Sequence, residues 1–148
     1  MATAVDTIAC NRDVAILFNY FPKQLEAAKT VYNACHKETQ QKIYFEVLGG
    51  DLRSYIALMN ECDVIIGNDG GAINMAKALN KPSFIIFSPW IEKKIWATFE
   101  DGIRHSSVHL QDFKPELFTS KSEKELKKEA LELYQEFKPE FFIEQLNQ

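Results

Sequence analysis

The chain has 148 residues, of which 46% are apolar and 26% charged, and it contains 11 Phe, 5 Tyr and 2 Trp. This composition is typical of a globular protein and excludes a disordered, collagen-like or disulfide-stapled chain. Lys and Arg number 17 against 21 Asp and Glu, so the net charge of −4 predicts no nucleic-acid partner. No apolar stretch approaches 18 residues, which predicts no transmembrane segment and at most peripheral membrane contact.

The cysteines and the first ten residues bear on the compartment. Cys10, Cys35 and Cys62 are far apart in the sequence and lack the CxxC spacing of metal sites, so we expect no metal site. No cofactor is expected either. The first ten residues lack the basic and apolar regions of a signal peptide. The sequence therefore predicts a cytoplasmic protein in a reducing compartment.

Strands and helices alternate along the first two thirds of the chain. Four apolar runs predict buried strands, at 14–18, 43–48, 64–66 and 83–87. Helical spacing predicts helices at 22–35, at 51–60 with Asp51 as N-cap, and at 72–79 with a stop at Asn80-Lys81-Pro82. This alternation predicts an α/β fold, with one Rossmann-like parallel sheet and helices on both faces.

The pattern is weaker after Trp90. The predicted segments are an ordered loop or short helix at 91–102, a short strand at 104–110, a long helix opening with the capping box Ser122-x-x-Glu125, and a short helix at 140–146. The last two make a C-terminal helical segment over about residues 122–147. Because no linker or repeat interrupts the chain, residues 1–148 are predicted to form a single domain.

The loop Gly67-Asn68-Asp69-Gly70-Gly71 lies between a predicted strand and a predicted helix. Right-handed crossovers bring such loops to one edge of a parallel sheet, where ligands bind. Two glycines let a ligand reach backbone N–H groups, and a helix N-terminus favours phosphate. The loop matches neither GxGxxG nor a Walker A motif. An equally good interpretation is a tight turn with Asp69 as the N-cap of the next helix.

The segment from Leu58 to Ser83, LMNECDVIIGNDGGAINMAKALNKPS, continues at the right distance into Ile86-Phe87-Ser88-Pro89. It resembles the signature of glycosyltransferase family 9, the ADP-heptose:lipopolysaccharide heptosyltransferases. The resemblance extends over about residues 11–96. It implies the C-terminal half of a GT-B glycosyltransferase, in which two Rossmann-like domains face a cleft and the C-terminal one holds the nucleotide-sugar donor.

The resemblance also implies a set of donor-binding residues and an ADP-sugar as the donor. They are Asn68, Asp69, Gly70, Gly71, Asn74, Ser88, Pro89, Lys23 and Glu26. By charge, Asp69 suits helix capping or sugar hydroxyls better than direct phosphate contact. Lys23 is the nearest cation to offset phosphate charge, or else a solvated helix lysine, and Glu26 corresponds loosely to the ribose-binding carboxylate of the family.

Two departures from the family pattern concern catalysis. Asn74 stands where the family often has His, and an amide carries no proton near neutral pH. The acceptor site and the catalytic base of the family lie in an N-terminal domain that this sequence does not match, and no residue here has an evident claim to be the base. An N-terminal GT-B domain or self-association is therefore the expected partner, and the catalytic residues stay unassigned.

The resemblance therefore implies the donor-binding half of a heptosyltransferase-type enzyme, which transfers sugar to a lipopolysaccharide-type acceptor at the inner face of a bacterial membrane. A non-catalytic nucleotide-sugar-binding or protein-interaction module derived from that domain is the alternative. Trp90 and Trp96 suit either stacking on a base or sugar, or burial. The alternation of His105 and His109 favours positions beside a loop or on a surface strand over catalysis.

Overall fold

A computed structural model of the chain describes residues 1–10 and 12–146. Its contacts divide the chain into two compact units. Unit 1 comprises Met1–Leu58 and the segment from Phe142 onward, and unit 2 comprises Met59–Phe141. The single domain expected over residues 1–148 stays a prediction. Within the described ranges, no helix combines the length and the apolar character needed to span a bilayer.

Unit 1 joins a small parallel sheet to short helices. Its elements are α1 (Ala2–Cys10), β1 (Ile16–Leu17), α2 (Leu25–Ala34), α3 (Lys37–Gln40), β2 (Ile43–Tyr44) and, after unit 2, α9 (Ile143–Leu146); α4 (Leu52–Glu61) runs from unit 1 into unit 2. The N-cap predicted for α4 is confirmed, because Asp51 Oδ1 accepts the Ser54 N–H at 2.9 Å. Helix α1 was not predicted from the sequence, although it buries the small face of Ala4, Val5 and Ala9.

The strands of unit 1 are shorter than predicted. β1 and β2 pair in parallel, with Ile16 opposite Ile43, but each has only two residues in the described pairing. The prediction at 43–48 assumed a strand covered on both faces, whereas Tyr44, Val47 and Leu48 are exposed. The strand predicted from these apolar residues is therefore longer than the observed one.

Unit 2 carries a three-stranded parallel sheet. Its elements are β3 (Ile65–Asn68), α5 (Gly71–Ala78), β4 (Ser83–Ile86), α6 (Lys93–Trp96), β5 (His105–Val108), α7 (Glu123–Lys128) and α8 (Ala130–Glu136). The strand order is β3-β4-β5, all parallel, with Ser83 opposite both Ile65 and His105. The α/β class with parallel strands is confirmed. The four predicted strands are all present, but in the described residues they belong to two sheets rather than one.

The core of unit 2 lies between its central strand and α5. Every residue of β4 is buried, as its unbroken apolar run predicts. Ile85 and the following Phe87 pack with Ile73 of α5. Helix α5 ends where the sequence predicts, because Asn80 adopts a left-handed conformation (φ 55°) and the Lys81 N–H donates to the Ala76 carbonyl at 2.9 Å.

The predicted long C-terminal helix is divided into two. The Ser122–Glu125 capping box opens α7 as predicted, with Ser122 N donating to Glu125 Oε2 at 2.8 Å. At Glu129 the backbone leaves the helical region (φ −93°, ψ 11°) and α8 begins at the next residue. The Glu129 carboxylate meets Lys121 Nζ at 2.5 Å. The spacing of apolar residues gave no sign of this break, because it continues in register across Glu129.

A carboxylate organises the turn that leads into β5. Asp101 Oδ1 accepts N–H groups from Ile103 at 3.0 Å, Arg104 at 2.7 Å and His105 at 2.9 Å. These hydrogen bonds, with that of His105 foremost, lower the pKa of Asp101 to about 2. The charged form of the side chain therefore holds the turn.

The Asp101→Asn variant should have a lower free energy of unfolding than the wild type at pH 7. The pKa of Asp101 is lowered in the folded state, so its contribution is complete above the unfolded value of about 3.9 and is lost as the pH falls toward 2. Urea unfolding at a series of pH values should therefore show the difference between the two proteins shrinking below about pH 4. An NMR titration that gave Asp101 an ordinary pKa would contradict this account.

Candidate functional site

The turn between β3 and α5 presents backbone rather than side chains. We call Asp69, Gly70 and Gly71 the Asp-Gly-Gly loop. Gly70 has φ 157° and ψ −174°, a conformation that residues with a Cβ rarely adopt. A Cβ added at Gly71 would meet no protein atom within 4 Å. Gly70 is thus required by the backbone, while Gly71 leaves open space above the first turn of the helix.

The Asp69 carboxylate joins this loop to the turn after β4. Asp69 Oδ1 accepts hydrogen bonds from Ser88 N at 2.9 Å and from Ser88 Oγ at 3.0 Å. Asn68 Nδ2 adds a bond to the Ile86 carbonyl at 3.0 Å. The interpretation of Asp69 as an N-cap is therefore wrong. Gly70 occupies the N-cap position, and no side chain of the described residues caps α5.

The N-terminus of α5 consequently keeps its backbone donors available. The first N–H groups of a helix have no partner within the helix, and together with the helix dipole they attract anions. In α5 they follow directly on the Asp-Gly-Gly loop, beside the open space at Gly71. The local geometry therefore suits a phosphate group, which is one of the two interpretations that the sequence left open.

A cavity of about 370 Å³ adjoins the loop within unit 2. It is lined by Asp69, Gly70, Gly71, Ile73, Asn74, Lys77, Ile85, Phe87, Trp90, Ile91 and Trp96. Apolar and aromatic side chains make up most of this lining, and the polar groups are concentrated at the loop and along α5. Trp96 is 60% exposed, so its ring is accessible rather than buried. This mixture is common in sites for small organic ligands.

An internal ion pair holds the segment that carries Trp96. Lys77 Nζ lies 3.4 Å from Glu100 Oε1 and donates to the Thr98 carbonyl at 2.6 Å. Ser107 Oγ of β5 donates to the other Glu100 oxygen at 2.6 Å. The side chains of Lys77 and Glu100 are only 4% and 14% exposed. These contacts fix one wall of the cavity to α5 and to the sheet.

The C-terminal helices contribute two contacts that the sequence did not predict. Tyr134 of α8 donates its hydroxyl proton to Ser88 Oγ at 3.0 Å. Lys127 of α7 lies over the ring of Trp90, with Nζ 4.4 Å from the centroid. Both contacts reach the turn after β4. The sequence did contain one indication of the Tyr134 contact. Tyr134 lies on the predicted apolar face of its helix, and a hydroxyl at such a position needs a hydrogen-bond partner.

Comparison with protein families decides the assignment. The family model of glycosyltransferase family 9 (heptosyltransferase) matches residues 3–127 of the chain. The chain belongs to this family. Comparisons with curated proteins and with solved structures gave no match. The resemblance noted in the sequence is thus confirmed, and the match extends well beyond residues 11–96 in both directions.

The structure places the residues expected from the family in different surroundings. Asp69, Gly70, Gly71 and Asn74 line the cavity, and Ser88 is bonded to Asp69 beside it. Of the other expected donor-binding residues, Asn68 ends β3 with its amide on the Ile86 carbonyl, Pro89 is buried, and Lys23 and Glu26 are exposed residues of unit 1. Glu26 forms an ion pair with Lys29 at 3.2 Å.

Two of the three histidines, His105 and His109, make contacts inside the fold. His105 begins β5 after the Asp101 turn and His109 follows the end of that strand, so both lie beside loops as expected, but both are buried rather than at the surface. His105 Nδ1 is 3.0 Å from Ser83 Oγ, and His109 Nδ1 accepts the Gln111 N–H at 2.9 Å. Burial is the largest influence on His109 and lowers its pKa. Neither histidine is among the residues that line the cavity.

Proposed function

We propose that unit 2 binds the nucleotide-diphosphate sugar donor of a sugar-transfer reaction, with an ADP-sugar as the expected donor. The observation that carries this proposal is the uncapped N-terminus of α5, which opens at Gly71 onto a cavity with an aromatic wall. A helix N-terminus supplies donors for a pyrophosphate. Membership of a glycosyltransferase family supplies the class of ligand.

The polar groups of the cavity are suited to the parts of such a donor. The pyrophosphate would be bound by N–H groups at Gly71 and in the first turn of α5. Ser88 donates both of its hydrogen bonds to Oδ1 of the Asp69 carboxylate, so Oδ2 is the oxygen that would accept from the sugar hydroxyls. The Asn74 amide can also bond to hydroxyls, and the exposed ring of Trp96 offers a stacking surface for a base or sugar.

Transfer of the sugar also needs a base for the acceptor hydroxyl. Among the residues that line the cavity, only Asp69 has a carboxylate, and Ser88 fixes one of its oxygens. We therefore expect the base and the acceptor site to come from a partner, either an N-terminal GT-B domain or a second copy of the chain. The proposed acceptor is of the lipopolysaccharide type, and the reaction is expected in the cytoplasm at the inner face of a bacterial membrane.

A non-catalytic nucleotide-sugar-binding module is the second candidate. It is favoured by Asn74, which cannot carry a proton near neutral pH, and by the engagement of Asp69 with Ser88. Both candidates predict that the donor binds. They differ only when an acceptor and the partner are added, because sugar transfer is then expected of the enzyme and not of the module.

Calorimetric titration of the chain tests the shared prediction. ADP-heptose and ADP should bind, while AMP should bind more weakly because it lacks the second phosphate. UDP and GDP, titrated in the same way, report the preference for the base. If none of the nucleotide diphosphates or ADP-heptose gave saturable binding, the proposed donor site would be ruled out.

A further inference from the structure

A chain of hydrogen bonds connects the C-terminal helices to the Asp-Gly-Gly loop. The Tyr134 hydroxyl donates to Ser88 Oγ at 3.0 Å, and Ser88 Oγ donates to Asp69 Oδ1 at 3.0 Å. All the donors in this relay point toward the carboxylate. Ser88 can therefore direct its proton to Asp69 while Tyr134 supplies a bond to the Ser88 oxygen.

This relay has consequences for the orientation of the serine and the carboxylate. A serine side chain has three staggered rotamers, and a hydrogen bond to its oxygen favours one of them. With Ser88 Oγ and Ser88 N both on Asp69 Oδ1, the orientation of the carboxylate is fixed, and Asp69 is one of the residues that line the cavity. Bonds in a chain also polarise and strengthen one another.

The second contact of the helical pair supports the same role. Lys127 covers the ring of Trp90 at 4.4 Å, so α7 and α8 each touch the turn of residues 88–90. Tyr134 lies beyond residues 3–127, the part matched by the family model. The contact to Ser88 thus comes from a residue outside the matched segment.

We infer that Tyr134 is a positioning residue of the donor site, acting through Ser88 to hold Asp69 Oδ2 toward the sugar of the bound nucleotide sugar. This inference rests on the proposed donor site. According to this inference, two protein groups bind different parts of the ligand. Asp69 binds the sugar, and the N-terminus of α5 binds the phosphates. Loss of the Tyr134 hydroxyl should weaken binding of the sugar nucleotide and spare binding of the nucleotide alone.

The test uses Tyr134→Phe, which removes the hydroxyl and keeps the ring of an exposed side chain. Titration with ADP-heptose should show an affinity about three- to tenfold lower than that of the wild type, the range expected for one neutral hydrogen bond. The affinity for ADP should be unchanged. Tyr44→Phe is the matched control, because Tyr44 is an exposed tyrosine of unit 1 and should leave both affinities unchanged.

A double-substitution cycle tests whether the effect passes through Ser88. If it does, adding Tyr134→Phe to Ser88→Ala should cause no further loss for ADP-heptose, because the relay is already broken. Equal affinities of wild type and Tyr134→Phe for ADP-heptose would overturn the inference and leave the proposed function standing. So would an equal loss for ADP and ADP-heptose. If the wild type bound neither ligand, the proposed function would fail and the inference with it.

Discussion

Replacing Gly71 with valine is expected to lower the affinity for ADP by more than about tenfold while the protein remains folded. A Cβ added at Gly71 meets no protein atom within 4 Å, and Gly71 has no left-handed φ, so the backbone at this position accepts a residue with a side chain. The same open space is where a phosphate would approach the N–H groups of α5. A valine there would block charge-assisted hydrogen bonds, each of which contributes about 1.5–3 kcal/mol.

Gly50→Val is the matched control for this substitution. Gly50 is also a glycine whose added Cβ would meet nothing within 4 Å, but it belongs to unit 1. Both variants should have melting temperatures close to that of the wild type, as measured by circular dichroism. Only Gly71→Val should show a reduced affinity for ADP in calorimetry. Unchanged affinity in Gly71→Val would remove the Asp-Gly-Gly loop from the site, and similar losses in both variants would point to a general effect on the fold.

The sequence predicted the elements of unit 2 better than those of unit 1, and burial explains the contrast. The run at 83–87 is apolar because β4 is the central strand and is covered on both faces. The run at 43–48 is also largely apolar, yet four of its six residues are exposed and only Ile43 and Tyr44 pair. An apolar run indicates that a strand is present but not how long it is. The length depends on how many residues of the neighbouring strand pair with it, and those residues are distant in the sequence.

The position of the candidate site was predictable, and its hydrogen bonding was not. Two glycines after an apolar strand place the Asp-Gly-Gly loop at the carboxyl edge of the sheet. The role of Asp69 depends on Ser88, which is 19 residues away and reaches it only because β3 and β4 are adjacent. Local rules favour capping for an aspartate before a helix, and the tertiary contact replaces it.

The hydrogen bond of Tyr134 was also not predictable, because its partner is still more distant in the sequence. Its hydroxyl bonds to Ser88, 46 residues earlier in the chain. Helical spacing assigns Tyr134 to an apolar face, but the side chain is exposed, and the spacing gives no partner for its oxygen. The contact of Lys127 with Trp90 is likewise invisible to a local pattern. Residues that complete a site from a distant helix therefore need the structure to be found.

Glu100→Gln is expected to destabilise unit 2 by about 3 kcal/mol, which lowers the melting temperature by roughly 6–12 °C. The Lys77 side chain is almost completely buried, and Glu100 is the one carboxylate found within 4.0 Å of its ammonium among the described residues. The substitution removes this counter-ion and leaves the Thr98 carbonyl as an acceptor. A buried charge left without its counter-ion has a much larger cost than the pair itself gains. The remaining carbonyl bond places the expected effect at the lower end of the range for such substitutions.

Two further variants separate the cost of an unpaired charge from the loss of a contact. Glu123→Gln breaks the exposed pair with Lys127, whose side chains are 65% and 51% exposed, and should change stability by no more than about 0.5 kcal/mol. Lys77→Met combined with Glu100→Gln removes the buried charge and should recover much of the loss. Tryptophan fluorescence during urea unfolding is a suitable measurement, because Trp90 and Trp96 both lie in unit 2. If Glu100→Gln were no more harmful than Glu123→Gln, the buried pair would have no special role in holding the cavity wall.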